Sequence, residues 1–357
     1  MRRLRWFLVV AVALVPLSSS VATSSAPPTP CAAIAAAEPQ TGHTQPAAAG
    51  PVFFASDFPV LTDCEWGWQI GGWGGIHRGG ARTHVPVIFV HGNQADAENW
   101  YLVADQFSKP PGNYTRQEMY ALSYNGLGNG YAGLPTNGTP SPDSLTYWQS
   151  TSPPLQAFCC NGGHGASNDP NVLDLYNFVH AVQAYTGSQH VDIVAHSLGV
   201  TITRRMLMLH PELRKDVLAA VMIAGANHGT TVCRGIDTTY YGCDEIAPGT
   251  PWLAAMNAGG ETPGPTRWMT VYNGTDNTDP FFQQVPGVGD DRTSPRLEGA
   301  VNKTYPGLYH NDLRVDAAPV ADYLKFLMEF GQDGVVVAPT PLPPITPAGG
   351  GLPNTSR

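Results

Sequence analysis

The sequence carries few charges, and its basic residues are outnumbered by acidic ones. Of the 357 residues, 13% are Asp, Glu, Lys or Arg, with 28 acidic and 19 basic side chains. Lys and Arg form no cluster beyond the first five residues. Because proteins that bind nucleic acid neutralise phosphates with such clusters, we expect no nucleic acid partner.

Long apolar runs are missing as well. The apolar run at residues 6–17 follows three arginines, and it is too short to span a bilayer as a helix. Small residues then lead to Ala26. This order of positive charge, apolar run and small residues predicts a secretory signal peptide over residues 1–26, so we expect an extracellular protein.

Metal-binding cysteine spacings are absent, since no two cysteines are separated by two residues. An even number of cysteines in a secreted chain instead predicts disulfides. Cys233 and Cys243 would close a short loop and are the predicted pair. The two adjacent cysteines would pair with each other only under strain, so one or both should reach an N-terminal cysteine. The six cysteines are Cys31, Cys64, Cys159, Cys160, Cys233 and Cys243.

The composition changes near both ends of the chain. Residues 27–51 form a low-complexity segment rich in Ala, Pro, Thr and Gln, and residues 335–357 form a tail rich in Pro and Gly. Residues 52–334 contain no internal repeat and are enough for one large domain. We expect this domain to act as a monomer.

Strand and helix patterns alternate through the predicted domain. Short apolar segments rich in β-branched residues predict strands at 85–90, 119–123, 191–195, 217–224, 268–272 and 300–305. Helical spacing of apolar residues predicts helices at 97–108, 169–186, 200–210 and 317–330. This alternation predicts an α/β fold with a mostly parallel, doubly wound sheet and helices on both faces.

Two segments do not fit the alternation. Residues 66–80 are rich in Trp and Gly, and we expect an irregular segment that packs its tryptophans against the sheet edge. Residues 124–168 form a long loop that starts at the carboxyl end of a strand, where open α/β sheets bind ligands. Its scattered aromatic residues suit either a cover over the site or a packed surface loop held through a cysteine.

Ser197 lies between a buried strand and a helix, with Ala195 two residues before it and Gly199 two residues after it. This pattern is that of a nucleophile elbow, in which a sharp turn holds the serine hydroxyl above the sheet. The alternative is an ordinary turn with a serine at the helix start. We predict that Ser197 is a catalytic nucleophile.

A serine nucleophile needs a histidine base and an acid that orients it. His210 follows Ser197 by 13 residues along one helix, or about 20 Å, and is too far away. His228 follows a strand but precedes the acid candidates. His310 follows the last strand, where this fold places the base, and is the predicted catalytic histidine.

The acid should follow the strand at 268–272. Asp276 and Asp279 both do, and both are candidates for the catalytic acid. Asp276 lies among turn-forming residues, where an Asp side chain commonly bonds its own backbone. We favour Asp279, because the Pro-Phe-Phe run after it could bury and fix the carboxylate.

Two backbone N–H groups should stabilise the oxyanion of an acyl-transfer transition state. One is the amide of Leu198, directly after the nucleophile. The other should come from the loop after the strand at 85–90, where the amide of Asn93 is preferred and that of Gln94 is the alternative.

Several stretches together resemble the secreted class 2 bacterial lipases. They are residues 87–93, the elbow at 191–199, the Ala-Gly-Ala-Asn-His-Gly-Thr stretch at 224–230, and the late His310. Residues 86–93 and 184–199 also resemble an extracellular polyhydroxybutyrate depolymerase of the same fold. The resemblance implies an α/β-hydrolase fold and catalysis without a cofactor. The loop at 124–168 departs from the smallest lipases.

We therefore expect a secreted hydrolase that cleaves carboxylic esters, with a Ser-His-Asp triad and a hydrophobic ester as substrate. A lipase or esterase is the favoured hypothesis, and a polyhydroxyalkanoate depolymerase is the alternative. A different class, a non-catalytic binding protein on a hydrolase scaffold, would lack a triad member. The presence of serine, acid candidates and histidine in fold order disfavours it.

Overall fold

A computed structural model of the chain describes residues 53–61, 64, 70–92, 95, 97–123, 168–234 and 244–332. The predicted signal peptide, the segment at 27–51 and the C-terminal tail lie outside these residues. So do Asn93, Gln94, Cys243 and all of the long loop except Asn168. The predictions that fall on them stay predictions.

Eight strands of the described residues form the main sheet. They are β1 (Phe53–Phe54), β2 (Gly71–Gly74), β3 (Val87–Val90), β4 (Met119–Ser123), β5 (Val191–His196), β6 (Val217–Ile223), β7 (Arg267–Tyr272) and β10 (Val301–Thr304). Their order is β1-β2-β4-β3-β5-β6-β7-β10. Only β2 and β4 pair in antiparallel fashion; the other neighbours run parallel. The predicted α/β class with a mostly parallel sheet is confirmed.

The central strands are apolar because both of their faces are covered. Every residue of β3, β4 and β5 is buried, and so is all of β6 except one residue. By contrast, β10 lies at the sheet edge and is largely exposed. A short antiparallel pair, β8 (Gln284–Val285) and β9 (Gly289–Asp290), stands apart from the main sheet.

Helices connect the strands. They are α1 (Tyr101–Phe107), α2 (Asp169–Thr186), α3 (Leu198–Leu209), α4 (Pro251–Asn257), α5 (Asp312–Val315) and α6 (Ala317–Phe330), with 3-10 turns at Ala97–Trp100, Arg116–Glu118, Pro211–Lys215, Thr231–Cys233 and Asp244–Ile246. The predicted bounds of α2 and α6 are confirmed. Gly187 ends α2 in the left-handed region at φ 70°, a common helix stop. Among the described helices, none has the length and apolar character needed to cross a membrane.

The single helix predicted at 97–108 is wrong at its start, because its first turn is a 3-10 turn, Ala97–Trp100. The Ala97 carbonyl accepts a 2.7 Å hydrogen bond from the Trp73 indole, and the Ala97 N–H donates to the Ser123 hydroxyl at 2.9 Å. The Trp73 and Ser123 side chains thus satisfy both backbone groups of Ala97 from outside the helix. The α-helix therefore begins after the 3-10 turn.

The segment at 66–80 is not irregular throughout, since Gly71–Gly74 forms β2. A Cβ at Gly72 would lie 2.2 Å from the Ala121 carbonyl oxygen, and Gly72 adopts φ 147°. Only a glycine at this position lets the strand lie this close to β4. Strand propensity disfavours glycine, so it could not predict β2. Trp73 is part of this strand and packs against the central strand β3, with its ring 5.9 Å from that of Phe89, rather than against the sheet edge from an irregular segment.

A buried carboxylate fastens the loop before β3 to the turn before β4. Glu118 accepts hydrogen bonds from the backbone N–H groups of Thr83, His84 and Thr115, at 2.9 Å for His84 and 2.7 Å for Thr115. Burial disfavours its charge, but these bonds and the His84 side chain outweigh burial and lower the Glu118 pKa to about 2.

Replacing Glu118 by Gln should lower the free energy of unfolding at neutral pH by about 1–3 kcal/mol, because charge-assisted bonds in a buried site are lost. The folded-state pKa lies below the unfolded one. The native protein should therefore lose this contribution as pH falls from 4.5 towards 2, and the variant should lack that pH dependence. Urea unfolding across this pH range measures both effects.

Glu212→Gln is the matched control, since that carboxylate is 53% exposed. It should change stability far less. Equal losses for the two variants would show that Glu118 contributes nothing beyond an ordinary surface charge.

Candidate active site

Ser197 occupies a tight turn between β5 and α3. Its backbone has φ 56° and ψ −125°, a strained conformation for a residue with a side chain. A Cβ at Gly199 would lie 2.4 Å from the His91 carbonyl oxygen, and one at Gly92 would lie 2.7 Å from Cβ of Ser197. The small residues around Ser197 are therefore required by close backbone packing. Within residues 191–200, Ser197 alone is not fully buried.

His310 and Asp279 form a buried pair on two loops that follow neighbouring strands, β10 and β7. His310 Nδ1 lies 3.1 Å from Asp279 Oδ2, and the side chains are 8% and 1% exposed. With Nδ1 directed at the carboxylate, Nε2 remains for other chemistry. That atom is buried and has no hydrogen-bond partner among the described residues.

His196, the residue before Ser197, links the histidine loop to the nucleophile turn. Its Nε2 lies 3.1 Å from the carbonyl oxygen of His310, and the two rings are 4.6 Å apart. Burial, followed by the nearby His310 and Arg314, lowers the pKa of His196 well below its usual value. A neutral His196 therefore donates its one N–H to the His310 backbone. Sequence reasoning missed this residue, although its place beside the nucleophile was a usable signal.

The loop after β7 buries the acid with the two phenylalanines that follow it. Asp279 Oδ1 accepts a 3.0 Å hydrogen bond from the Phe281 N–H. The rings of Phe281 and Phe282 lie 4.5 Å and 5.9 Å from the His310 ring. The expected apolar anchor is therefore present, and it contacts the histidine as well as fixing the carboxylate.

Asp276 has a different role in the same loop. Its Oδ1 accepts from the Thr278 N–H at 2.8 Å and from the Asn273 side chain at 2.9 Å. Its Oδ2 accepts from the Gly307 N–H at 2.9 Å, three residues before His310. Hydrogen bonds from Thr278 foremost, and from Asn273 and Gly307, lower its pKa to about 2. The structure brings Asp279, not Asp276, to His310.

Of the two predicted oxyanion donors, the structure describes only Leu198. Leu198 is the first residue of α3, and amides in the first turn of a helix have no acceptor within the helix. Asn93 and Gln94 lie outside the described residues. Their neighbour Gly92 packs against Ser197, and the adjacent His91 is buried with its Nδ1 2.8 Å from the Gly92 carbonyl oxygen.

The two histidines that the sequence disfavoured as the base, His210 and His228, have other partners. His210 stacks on Tyr176 with ring centroids 3.9 Å apart at the far end of α3. His228 lies 2.7 Å from Glu261 through Nε2 and 2.9 Å from the Ser294 carbonyl oxygen through Nδ1. Within the described part of the chain, no group of three or more His, Cys, Asp or Glu side chains is placed to hold a metal ion.

Solved structures align with parts of this chain at low sequence identity. The product of gene lin2722 from Listeria innocua aligns with TM-score 0.45 and 13% identity over 70% of this chain and 96% of its own. Lipase BlEst2 from Bacillus licheniformis, in mature form, aligns with TM-score 0.46 and 13% identity over 70% and 94%. Lipase B from Aspergillus fumigatus aligns with TM-score 0.43 and 16% identity over 72% and 58%.

No curated protein matches the chain in sequence. The family model described as Lipase (class 2) does match, over residues 84–131 and 163–319. These ranges cover more than half of the chain and include Ser197, Asp279 and His310. The chain therefore belongs to the class 2 lipase family.

Proposed function

We propose that the protein is a secreted serine hydrolase that cleaves carboxylic esters through an acyl-enzyme on Ser197. The observation that carries this proposal is the buried His310–Asp279 pair, bonded through the His310 carbonyl to the residue beside a strained serine. Membership of a lipase family supports an ester hydrolase. The secretory signal predicted from the sequence of residues 1–26 supports an extracellular location.

Each group of the site has one task in this mechanism. His310 Nε2 takes the proton of the Ser197 hydroxyl as its oxygen attacks the ester carbonyl, and Asp279 stabilises the imidazolium that forms. The amides of Leu198 and Asn93 hold the oxyanion. His310 then gives the proton to the departing alcohol. A water molecule, deprotonated by the same nitrogen, then attacks the acyl carbon; the bond to the Ser197 oxygen breaks, the acid leaves, and His310 returns the proton to Ser197.

The proposed substrate is a hydrophobic ester, cleaved by a monomer that needs no cofactor. A panel of short and long p-nitrophenyl esters, a triglyceride emulsion and polyhydroxybutyrate separates the options. Preference for the emulsion or long esters supports a lipase. Hydrolysis of the polymer alone would support a depolymerase, and no hydrolysis at all would contradict the proposal.

Replacing Ser197 by Ala should abolish labelling by a fluorophosphonate probe and reduce kcat by about 10⁴-fold or more, because the nucleophile is lost. Gel fluorescence measures the labelling, and p-nitrophenyl butyrate measures turnover. Ser108→Ala, at an exposed serine after α1, is the control and should label normally. Retained labelling of the Ser197 variant would remove this residue from the mechanism.

The two acid candidates predict opposite outcomes for a matched pair of substitutions. Asp279→Asn should reduce kcat by about 10³–10⁴-fold while the Tm changes little, because the histidine loses its orienting carboxylate. Asp276→Asn should affect kcat much less, since its bonds order the loop. Esterase kinetics and thermal melts of both variants test this. A larger loss of kcat for Asp276→Asn would reverse the assignment.

We also propose a disulfide between Cys233 and Cys243. Support comes from the even number of cysteines in a chain with a predicted secretory signal and from the short loop that the pair would close. Peptide mapping without reduction should find the two residues linked, and reduction should lower stability by about 2–4 kcal/mol, towards the low end for a short loop. Recovery of both as free thiols would contradict the pairing.

A further inference from the structure

Apolar side chains are exposed on the segment that follows Asp279. Phe281 is 44% exposed, Val285 37% and Val288 48%, and Val232 on the neighbouring loop is 41% exposed. These four residues form what we call the hairpin surface. They are four of the nine large hydrophobic side chains that are exposed among the described residues. Isolated exposed side chains are ordinary, but a group of this kind usually has a partner.

The four residues belong to one small structural unit. Strands β8 and β9 form a hairpin at residues 284–290. The Arg234 side chain donates to the Val288 carbonyl at 3.2 Å, which joins the loop of Val232 to this hairpin. A Cβ at Gly289 would lie 3.3 Å from the Thr231 side chain, so the two segments are in contact. Every residue from 284 to 290 is exposed, and nothing lies within 4 Å of the position of a Cβ at Gly287. The hairpin therefore projects from the domain.

Hydrogen bonds hold this unit in place. The Thr230 hydroxyl donates to the Phe281 carbonyl at 2.6 Å, and the Thr231 N–H donates to the Asp291 carboxylate at 2.6 Å. Asn277 accepts from the Gln284 N–H at 2.9 Å. Both ends of the hairpin are thus tied to neighbouring loops. A partner would meet a surface that is already formed, at little cost in ordering.

The hairpin surface borders the candidate active site. The Phe281 ring lies 4.5 Å from the His310 ring, and the Phe281 N–H bonds the Asp279 carboxylate. A partner bound to the hairpin would therefore lie beside the catalytic histidine. Of the possible partners, a substrate is the one that must lie beside this histidine to react.

The hairpin segment itself is also uncharged, and the exposed Arg234 that bonds the Val288 carbonyl belongs to the neighbouring loop. Residues 281–289 contain no Asp, Glu, Lys or Arg. Asp290 comes next, and Arg292 neutralises it with two hydrogen bonds of 2.9 Å and 2.7 Å. A protein that binds an anionic membrane usually does so through a cluster of Lys and Arg side chains. A lipid surface that is neutral and apolar is therefore the better match for the hairpin surface.

We propose that the hairpin surface binds droplets of water-insoluble neutral lipid ester and holds the His310 side of the active site against them. This inference rests on the proposed ester hydrolase function. It adds the place of contact and the physical state of the substrate.

Binding is tested without turnover in the Ser197→Ala protein, by flotation with an emulsion of triolein. Adding Val285→Ser and Val288→Ser should weaken binding about tenfold, since two partly exposed apolar side chains no longer leave water. The matched control adds Val60→Ser and Val301→Ser, which are 73% and 45% exposed outside the hairpin. The control protein should bind triolein like the Ser197→Ala parent. Added NaCl should release neither the control nor the parent. Equal binding of the hairpin variant and its parent would overturn the inference.

Activity gives a second readout with Ser197 intact. The two hairpin substitutions should reduce hydrolysis of emulsified tributyrin about tenfold and leave hydrolysis of soluble p-nitrophenyl acetate almost unchanged. Equal losses on both substrates would instead place the hairpin in the support of the triad. If the intact protein cleaves no ester, the proposed function fails, whereas flotation still tests the surface.

Two other partners would overturn the choice of lipid. Size-exclusion chromatography would detect a dimer that the hairpin substitutions convert to a monomer, which would make the surface a contact between copies. Binding to polyhydroxybutyrate granules without binding to triolein would make the partner a polyester.

Discussion

The candidate active site depends on the close approach of three chain segments around Ser197. Gly92 and Gly199 leave no room for a Cβ, and a Cβ at Gly225 would lie 2.2 Å from the Val200 side chain. The loop after β3, the start of α3 and the loop after β6 are therefore locked together. Packing of this kind tolerates almost no change in volume, and it can hold Ser197 at a positive φ that would otherwise relax.

His310 reaches this turn through a second histidine. His196 can serve as a steady hydrogen-bond donor because it stays neutral, and burial is the main cause. The positive charge of Arg314 lowers the His196 pKa further, because burial lowers the Arg314 pKa only to about 10 and the side chain stays charged. Its guanidinium lies 5.4 Å from the centre of the Trp100 ring. Of two neighbouring histidines, one is thus fixed as a structural donor. The other, His310, keeps its Nε2 without a hydrogen-bond partner among the described residues.

The sequence was sufficient for the central parallel strands and for placing Ser197 and His310 at strand ends, because these follow from strand periodicity and chain order. It favoured Asp279 but left Asp276 as an alternative acid. It could not reveal β2, since Gly71–Gly74 becomes a strand through a close approach to β4 rather than through its own propensity. His196 was missed for a related reason. Its partner is the backbone of a residue 114 positions away, and spacing along the chain carries no record of that contact.

Asp276 and Asp279 illustrate how little separates a structural carboxylate from a candidate catalytic one. Both lie in one loop, three residues apart, and both are fixed by backbone N–H groups. Asp276 bonds towards Gly307 and so shapes the loop that carries His310, whereas Asp279 faces the ring itself. The same loop then continues through Phe281, which packs on His310, into the exposed hairpin. Asp279 and the apolar hairpin surface are therefore parts of one short segment, and Phe281 of that segment packs against His310 on the neighbouring loop, so a surface bound at the hairpin would lie beside the histidine.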